Sequence, residues 1–269
     1  MVLIMSPFIS VIMPVYNAER YVAKAVESIL NQTFSDFEFI IINDGSKDKS
    51  LKILEKYAKK DNRIRLISRE NRGLVKTLNE GLMLAKAPLI ARMDADDISF
   101  LNRFELQAQF LLQQPEVVCV GGYTEIIDKN SRELTLLTMP LEDCNIQDLL
   151  LRGHVSISHP TVMYRKDAVF AIGRYRENFI AAEDLDLWLR LGEIGKLANL
   201  PHPLIKYRML SSSVSSQNSG VQKKSAHMAC VEAWQRRNVI YNFEFDVWRP
   251  NNEKKSKHKY YLKFGWWAF

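Results

Sequence analysis

This sequence predicts an α/β fold with a mostly parallel sheet flanked by helices. Short apolar runs alternate with stretches whose apolar residues recur every three or four positions, turn residues separate them, and the polar residues of chemical interest follow the apolar runs directly. Phe8 to Met13 is the first such run and reads as a buried strand. Val22, Val26, Ile29 and Leu30 then repeat at helical spacing, which predicts a helix from Glu19 to about Asn31. Phe37 to Ile42 is a second strand, ending at Asn43-Asp44-Gly45-Ser46, where glycine permits the turn and Ser46 can cap the next helix. That helix carries Leu51, Leu54 and Ala58 on its apolar face. Ile64 to Ile67 is a third strand, Leu74, Leu78, Leu82 and Ala85 mark a third helix, and Leu89 to Met93 is a fourth strand.

Beyond a helix expected over Asn102 to Gln114 the pattern becomes irregular. Val117 to Gly121, Thr124 to Ile127 and Leu134 to Thr138 read as short strands, the last two joined by a turn over Asp128 to Arg132. In Glu183 to Leu191 the leucines alternate as in a strand, yet Leu187, Leu191 and Ile194 fit a helix, which is the expectation. Ser211 to Gly220 is a Ser-rich loop, and Lys223 to Asn238 is expected to open a helical C-terminal extension.

The polar groups after the four strands are Tyr16-Asn17, Asp44, Asn71 to Lys76, and Asp94-Ala95-Asp96-Asp97. Open α/β sheets bind ligands at the carboxyl ends of their strands, so one crevice can collect all four groups, although loops attract polar residues in any case. The three aspartates crowd like charges onto the end of an apolar run. Hard divalent ions such as Mg2+ or Mn2+ take carboxylate oxygens together with water and substrate phosphates, which makes a metal-bound diphosphate the first reading. An Asp-rich surface turn uses the same residues. Neither G-x-G-x-x-G nor G-x-x-x-x-G-K-S/T occurs, so dinucleotide and P-loop chemistry are disfavoured and a metal would have to neutralise phosphate.

With 47% hydrophobic and 25% charged residues the composition is that of a soluble globular protein. No run approaches the length of a spanning helix. Met1 to Tyr16 is largely apolar, but no Lys or Arg precedes Arg20 and Pro7 and Pro14 interrupt it, so a strand is expected there rather than a signal-peptide core. Cys119, Cys144 and Cys230 lack metal-type spacing and fit a reducing cytoplasm. Most of the formal charge of +6 lies in the last stretch, where Arg249, Lys254, Lys255, Lys257, Lys259 and Lys263 face only Glu253. The nearly neutral body, without a zinc-finger or RNA-recognition signature, argues against a nucleic-acid partner. Tyr260, Tyr261, Phe264, Trp266, Trp267 and Phe269 interleave with those cations. That mixture suits an anionic membrane surface, and equally a terminal helix packed on the domain.

Several motifs in order resemble the family 2 glycosyltransferases, which are inverting, use nucleotide-diphosphate sugars and have the GT-A fold. They are Val11-Ile12-Met13-Pro14-Val15-Tyr16-Asn17, Ile42-Asn43-Asp44-Gly45-Ser46, Asn71-Arg72-Gly73, Arg92 to Asp97, His159-Pro160-Thr161, Glu183-Asp184 and Tyr207-Arg208. The match covers roughly Ser10 to Ser215. It implies a GT-A domain with a Rossmann-like sheet over residues 1–215, followed by a helical, basic and aromatic extension over 216–269.

The resemblance also implies roles. Pro14, Val15, Tyr16, Asn17, Glu19 and Asp44 would hold the nucleotide base, usually uracil; a carboxylate can accept the uracil N3 hydrogen and Tyr16 can supply packing area. Asp94, with Ala95, would lie near the ribose or donor sugar, and Asp96 would ligate Mn2+ or Mg2+. Asp97 is left between that cluster and capping the helix that follows. Lys76 is either a phosphate contact or a solvated helix-face lysine, and Arg208 can pair with phosphate. Asp184 matches the family's base, Glu183 would orient donor sugar or acceptor, and Asp186 is the second choice for the base; acidic residues also favour a helix N-terminus on their own account. His159 is structural or acceptor-related. Relatives often carry a His two residues after the position of Arg208, where this chain has Leu210, so water or a serine of 211–213 would serve instead.

The expected function is therefore transfer of a hexose or N-acetylhexosamine from a UDP-sugar donor to a saccharide acceptor, lipid-linked if the tail meets a membrane, in surface polysaccharide or glycan synthesis. The expected location is the cytoplasm, with the tail as a peripheral contact at the inner face of the plasma membrane. A sugar nucleotidyltransferase is the alternative enzyme, but the glycine-rich basic loop it needs after the first strand is missing from Pro14 to Glu19. A catalytically silent partner in a polysaccharide assembly would have no need of Asp96 and Asp184.

Overall fold

The computed structural model describes residues 7–210 and 219–245. The first part alternates strand and helix: β1 (Ile9–Val15), α1 (Val22–Leu30), β2 (Phe37–Asp44), α2 (Ser50–Ala58), β3 (Ile64–Arg69), α3 (Leu74–Leu84) and β4 (Leu89–Arg92). There follow β5 (Ile98–Ser99), α4 (Arg103–Gln113), β6 (Val117–Ile127), β7 (Glu133–Leu137) and α5 (Asp143–Leu151). A 3-10 turn (His159–Thr161), β8 (Met163–Arg165), α6 (Lys166–Ala171), α7 (Glu183–Leu191), β9 (Lys196–Arg208) and α8 (Ser219–Arg237) complete the described chain.

All nine strands join one sheet, ordered β3-β2-β1-β4-β8-β6-β9-β5, with β7 paired to β6 beside that path. β1 to β4 are parallel, as expected. Val15 lies opposite Asn43 and Asp44 opposite Arg69, so their carboxyl ends share one edge. Arg92 pairs with Ile12 rather than Val15, which starts the acidic loop alongside the end of β1. β8 is antiparallel to β4 and β6 antiparallel to β8, whereas β9 runs parallel to β6.

Strand alternation divides the core into two apolar layers. Val11, Met13, Phe39 and Ile41 pack with Val26 and Ile29 of α1 and Phe104 of α4. Ile12, Ile40, Ile42 and Ile90 face Leu78 and Leu82 of α3, Leu187 and Leu191 of α7, and Ala229 and Ala233 of α8. Burying each such aliphatic side chain contributes about 1.5–3 kcal/mol, which is why these residues dictate the layers. Small residues let α8 close onto the domain, where Trp234 Nε1 donates to Leu151 O (2.9 Å) and Cys230 Sγ to Leu150 O (3.5 Å).

Some elements differ from expectation. Val117 to Ile127 is one strand, not two, because Gly121-Gly122 sits inside it where the pairing with β9 shifts register. Lys196–Arg208 is a long strand whose Pro201, His202 and Pro203 erase any clean alternation. Ser46 does not cap α2: that helix begins at Ser50, and the Ser46 hydroxyl serves the neighbouring loop. Asp97 caps nothing, since α4 starts after Asn102 with no side-chain cap. Glu183–Leu191 is the expected helix. Of the Ser-rich stretch, Ser219 and Gly220 belong to α8; residues 211–218, the basic aromatic tail and the sequence before Pro7 lie outside the described residues.

Candidate active site

The loops after β1 and β2 are built as one unit. Asn17 adopts φ +49°, a left-handed conformation that Asn tolerates better than most residues. Its N–H donates to Ser46 Oγ (3.0 Å) and its Oδ1 accepts the Lys47 N–H (2.8 Å). Ala18 N–H donates to Ser50 Oγ (2.8 Å), Glu19 N–H to Asp48 Oδ2 (2.9 Å), and Lys49 N–H to Glu19 Oε2 (2.8 Å). Asn17 and Glu19 thus tie one loop to the other. Pro14 and Val15 are buried at the strand end, whereas Tyr16 is 51% exposed at the rim.

Asp44, at the end of β2, is buried and organises the loop after β3. Its carboxylate accepts from the Arg69 guanidinium, from the Arg72 N–H (2.8 Å) and from the Gly73 N–H (3.0 Å), and its carbonyl accepts from Asn71 Nδ2 (2.9 Å). Arg69 is in turn held by Glu80 Oε2 (2.7 Å) and Thr77 Oγ1 (2.9 Å). A carboxylate offers about four acceptor positions, so these three donors leave one for a ligand. Lys76 is exposed on α3, its Nζ 3.6 Å from Glu177 Oε2.

The loop after β4 gathers the metal candidates. One carboxylate oxygen from each of Asp94, Asp96 and Asp97 lies within 4.8 Å of the others. Burial and the neighbouring Asp94 charge push the Asp96 carboxyl up to about 6. Asp97 is raised well above the usual range by burial and by Asp96 and Asp94. Asp97 Oδ1 accepts the Arg208 N–H (2.8 Å), and the buried Oδ2 has no partner. An all-oxygen cluster with an orphaned buried oxygen, its carboxyls raised by burial and by one another's charge, fits a hard divalent cation. Arg208 is a buried clasp for this loop: Nε donates to Asp96 O (2.8 Å), Nη1 to Asp128 O (2.9 Å) and Ser131 Oγ (3.0 Å), and the guanidinium lies over the Tyr21 ring at 4.4 Å. Its Nη2 is buried without a partner.

A second acidic pair closes the site at the first turn of α7. Burial and the Asp184 charge hold the Glu183 carboxyl up at about 7, and burial raises Asp184, whose Oδ1 accepts the Leu185 N–H (2.8 Å). Both feel the Asp94 carboxylate and the Arg92 guanidinium, so the acidic loop and the helix start form one electrostatic site. Asp186 belongs elsewhere. It is 1% exposed and bound by Arg176 and Arg190, which removes it as a base. His159 is buried, its Nε2 2.8 Å from Tyr175 Oη, and burial with the Arg92 charge holds its imidazole well below the usual range and therefore neutral.

The family model described as Glycosyl transferase family 2 matches residues 10–173, which takes in the nucleotide-side loops, the acidic loop and His159. The chain belongs to glycosyltransferase family 2. Among the relatives of this glycosyltransferase, the O-antigen biosynthesis glycosyltransferase WbnJ of Escherichia coli is 35% identical over 87% of this chain and 92% of its own. Solved structures share the fold. S. aureus TarS in complex with UDP-GlcNAc matches with a TM-score of 0.63 at 22% identity over 89% of this chain and 68% of its own. The mannosyltransferase PcManGT from Pyrobaculum calidifontis, in complex with GDP-Man and Mn2+, matches with a TM-score of 0.62 at 14% identity over 96% and 70%. The glycosyltransferase thus has the GT-A architecture, a curled central sheet between helices.

Sequence reasoning named Lys76 and Arg208 but gave no role to three further cations, Arg69, Arg92 and Arg103. Arg69 holds Asp44, and Arg103, fully buried, donates to the carbonyls of Arg92 (2.8 Å) and Val162 (3.0 Å). Arg103 was hidden as an ordinary helix residue. Arg92 carried a readable signal: a charged side chain at a strand position that should face a helix layer.

Proposed function

We propose that this glycosyltransferase moves a hexose or N-acetylhexosamine from a UDP-sugar to a saccharide acceptor with inversion, with Asp184 as the general base. The observation that carries the reading is the meeting of the Asp94–Asp97 cluster with the Glu183–Asp184 pair around Arg92. The nucleoside sits across the β1 and β2 loops, where Tyr16 supplies an exposed ring and Asp44 one remaining acceptor position. Asp96 and Asp97 would hold Mn2+ or Mg2+, and a divalent ion bound there would supply positive charge to offset that developing on the departing diphosphate. Lys76 and the unpartnered Nη2 of Arg208 are the cationic groups assigned to the phosphates.

In the transfer step the acceptor oxygen forms a bond to the anomeric carbon as the bond from that carbon to the diphosphate oxygen breaks. The hydroxyl proton goes to Asp184 and UDP leaves. A carboxyl raised by burial is the stronger base, and Asp184 is also kept in place by the Leu185 N–H. Glu183 and Asp94 orient the sugars; His159, buried and neutral, shapes the acceptor wall through Tyr175. Relatives in O-antigen synthesis and a TarS complex with UDP-GlcNAc support a UDP-sugar and a polysaccharide product.

Among the described residues no helix is long and apolar enough to cross a membrane. Peripheral contact with an anionic cytoplasmic leaflet and a lipid-linked acceptor would involve the tail over 246–269. Unchanged co-sedimentation with anionic vesicles after removal of Lys254 to Phe269 would refute that part. The catalytic assignment is tested with Asp184→Asn, which should lower turnover by about 10²–10⁴-fold while leaving UDP affinity intact; full activity would refute it.

A further inference from the structure

The ladder between β4 and β8 stops just short of the acidic loop, and a side chain from α4 completes it. Leu89 pairs with Arg165, Ile90 with Tyr164 and Ala91 with Met163. At the next step the Arg92 N–H still donates to Val162 O (3.1 Å), but the Val162 N–H turns back to His159 O (3.4 Å). The Arg92 carbonyl is thereby left without a strand donor, which is unfavourable in a buried strand end. Arg103, fully buried, supplies the donor: Nη2 donates to Arg92 O (2.8 Å) and to Val162 O (3.0 Å), and Nη1 approaches Met93 Sδ at 3.9 Å. Gln107, one turn further along α4 and equally buried, seats that guanidinium. Its Oε1 accepts from Arg103 Nε (3.0 Å), and its Nε2 donates to Val120 O and Thr161 O (both 2.9 Å).

Every hydrogen-bond partner of Arg103 is thus uncharged. A cation buried among neutral partners is unfavourable, and packing alone would be met by an apolar side chain. What a guanidinium adds is a rigid fork that reaches carbonyls of two segments at once. One segment, Arg92-Met93, is the root of the acidic loop; the other, Thr161-Val162, follows His159. The far end of the same loop is held by Arg208, whose N–H and Nε bind Asp97 Oδ1 and Asp96 O. Arginines therefore fasten the loop at both ends, with the three carboxylates between them.

We propose that Arg103, seated by Gln107, is a positioning residue for the divalent ion: it fixes the root of the acidic loop against the 3-10 turn so that Asp94, Asp96 and Asp97 converge on one ion. This rests on the reading of that cluster as the metal site. The molecule supplies its own comparison. Arg165 also spends its guanidinium on carbonyls, Nε on Val117 O (2.9 Å) and Nη2 on Leu111 O (2.7 Å) and Gln114 O (3.2 Å), but at the Leu89 end of β8, away from the acidic loop. A loss of stability is expected from either arginine, and a loss of metal binding from Arg103 alone.

The experiment titrates UDP calorimetrically at a series of Mn2+ concentrations into wild type, Arg103→Lys, Arg103→Met and Arg165→Lys, and reads the Mn2+ concentration that gives half of the gain in affinity. Lysine keeps the charge but presents one ammonium in place of the fork. In both Arg103 variants that midpoint should rise about tenfold, the usual consequence of losing a group that orients metal ligands. UDP affinity without metal should hold, since the loops after β1 and β2 are braced by each other rather than by α4. Arg165→Lys should leave the midpoint in place even where its melting temperature falls. An unmoved midpoint in the Arg103 variants, or an equal shift in Arg165→Lys, overturns the proposal. If Arg103→Lys does not fold, Arg103→Met decides by the same two outcomes, because replacing a buried charge by an apolar side chain is often neutral for stability. Wild-type UDP affinity that does not respond to Mn2+ would instead sink the metal reading, and this proposal with it.

Discussion

Two aspartates on one helix, Asp184 and Asp186, show how environment divides identical side chains. Asp186 is buried between two guanidinium groups, whereas Asp184 has one backbone donor and a raised carboxyl. Removing one member of a buried ion pair leaves the others uncompensated, so Asp186→Asn should cost about 3–5 kcal/mol in urea unfolding. Asp184→Asn should instead leave unfolding nearly unchanged. Glu183 gives a pH dependence. Its carboxyl is held at about 7 against an ordinary 4.5, so the folded chain keeps a proton that the unfolded chain releases. The contribution of Glu183 to stability is therefore lost as pH rises from about 4.5 to 7, and the urea midpoint should fall less over that interval in Glu183→Gln than in wild type. At this scale the sequence showed the acidic groups that the structure gathers, Asp94 to Asp97 after β4 and Glu183-Asp184 in the first turn of α7. It was not legible where spacing is shared by two fates, as for Asp184 and Asp186, or where the partner comes from another element, as with Arg69 for Asp44.

At the level of elements, the parallel strands β1 to β4 were readable because each is a short apolar run ended by turn residues. β9 was not, since two prolines and a histidine interrupt it and its place depends on β6, far away in sequence. The interlocked loops after β1, β2 and β3 also exist only in three dimensions. Gly45 is their tightest point: it has φ +73°, and a Cβ there would stand 2.6 Å from the Asn71 backbone nitrogen. Gly45→Ala should therefore destabilise by about 2 kcal/mol or more, since the left-handed conformation alone costs an L residue roughly 1–2 kcal/mol. It should also weaken UDP binding by moving the loop that Asp44 holds. Chemical denaturation and calorimetry on the same sample would check both.

Over the whole molecule, the start of the expected C-terminal extension is part of the core. Ala226, Ala229, Cys230 and Ala233 of α8 are buried in the layer that carries Leu187 and Leu191. A chain cut after residue 215 should thus lose cooperative unfolding or precipitate, by sedimentation and thermal melt, because it uncovers that apolar face. The sequence showed α8 as a helix but not its partner, since helical periodicity says which face is apolar and not what covers it. All of these parts bear on one proposed site, in which a carboxylate-bound divalent ion would hold a sugar nucleotide against Asp184. Calorimetry of UDP with wild type and Asp96→Ala, each with and without Mn2+, tests that most directly. The account predicts at least a roughly tenfold gain in affinity with Mn2+ for wild type, about 1.4 kcal/mol, and none for Asp96→Ala; equal affinity in wild type with and without the metal would contradict it.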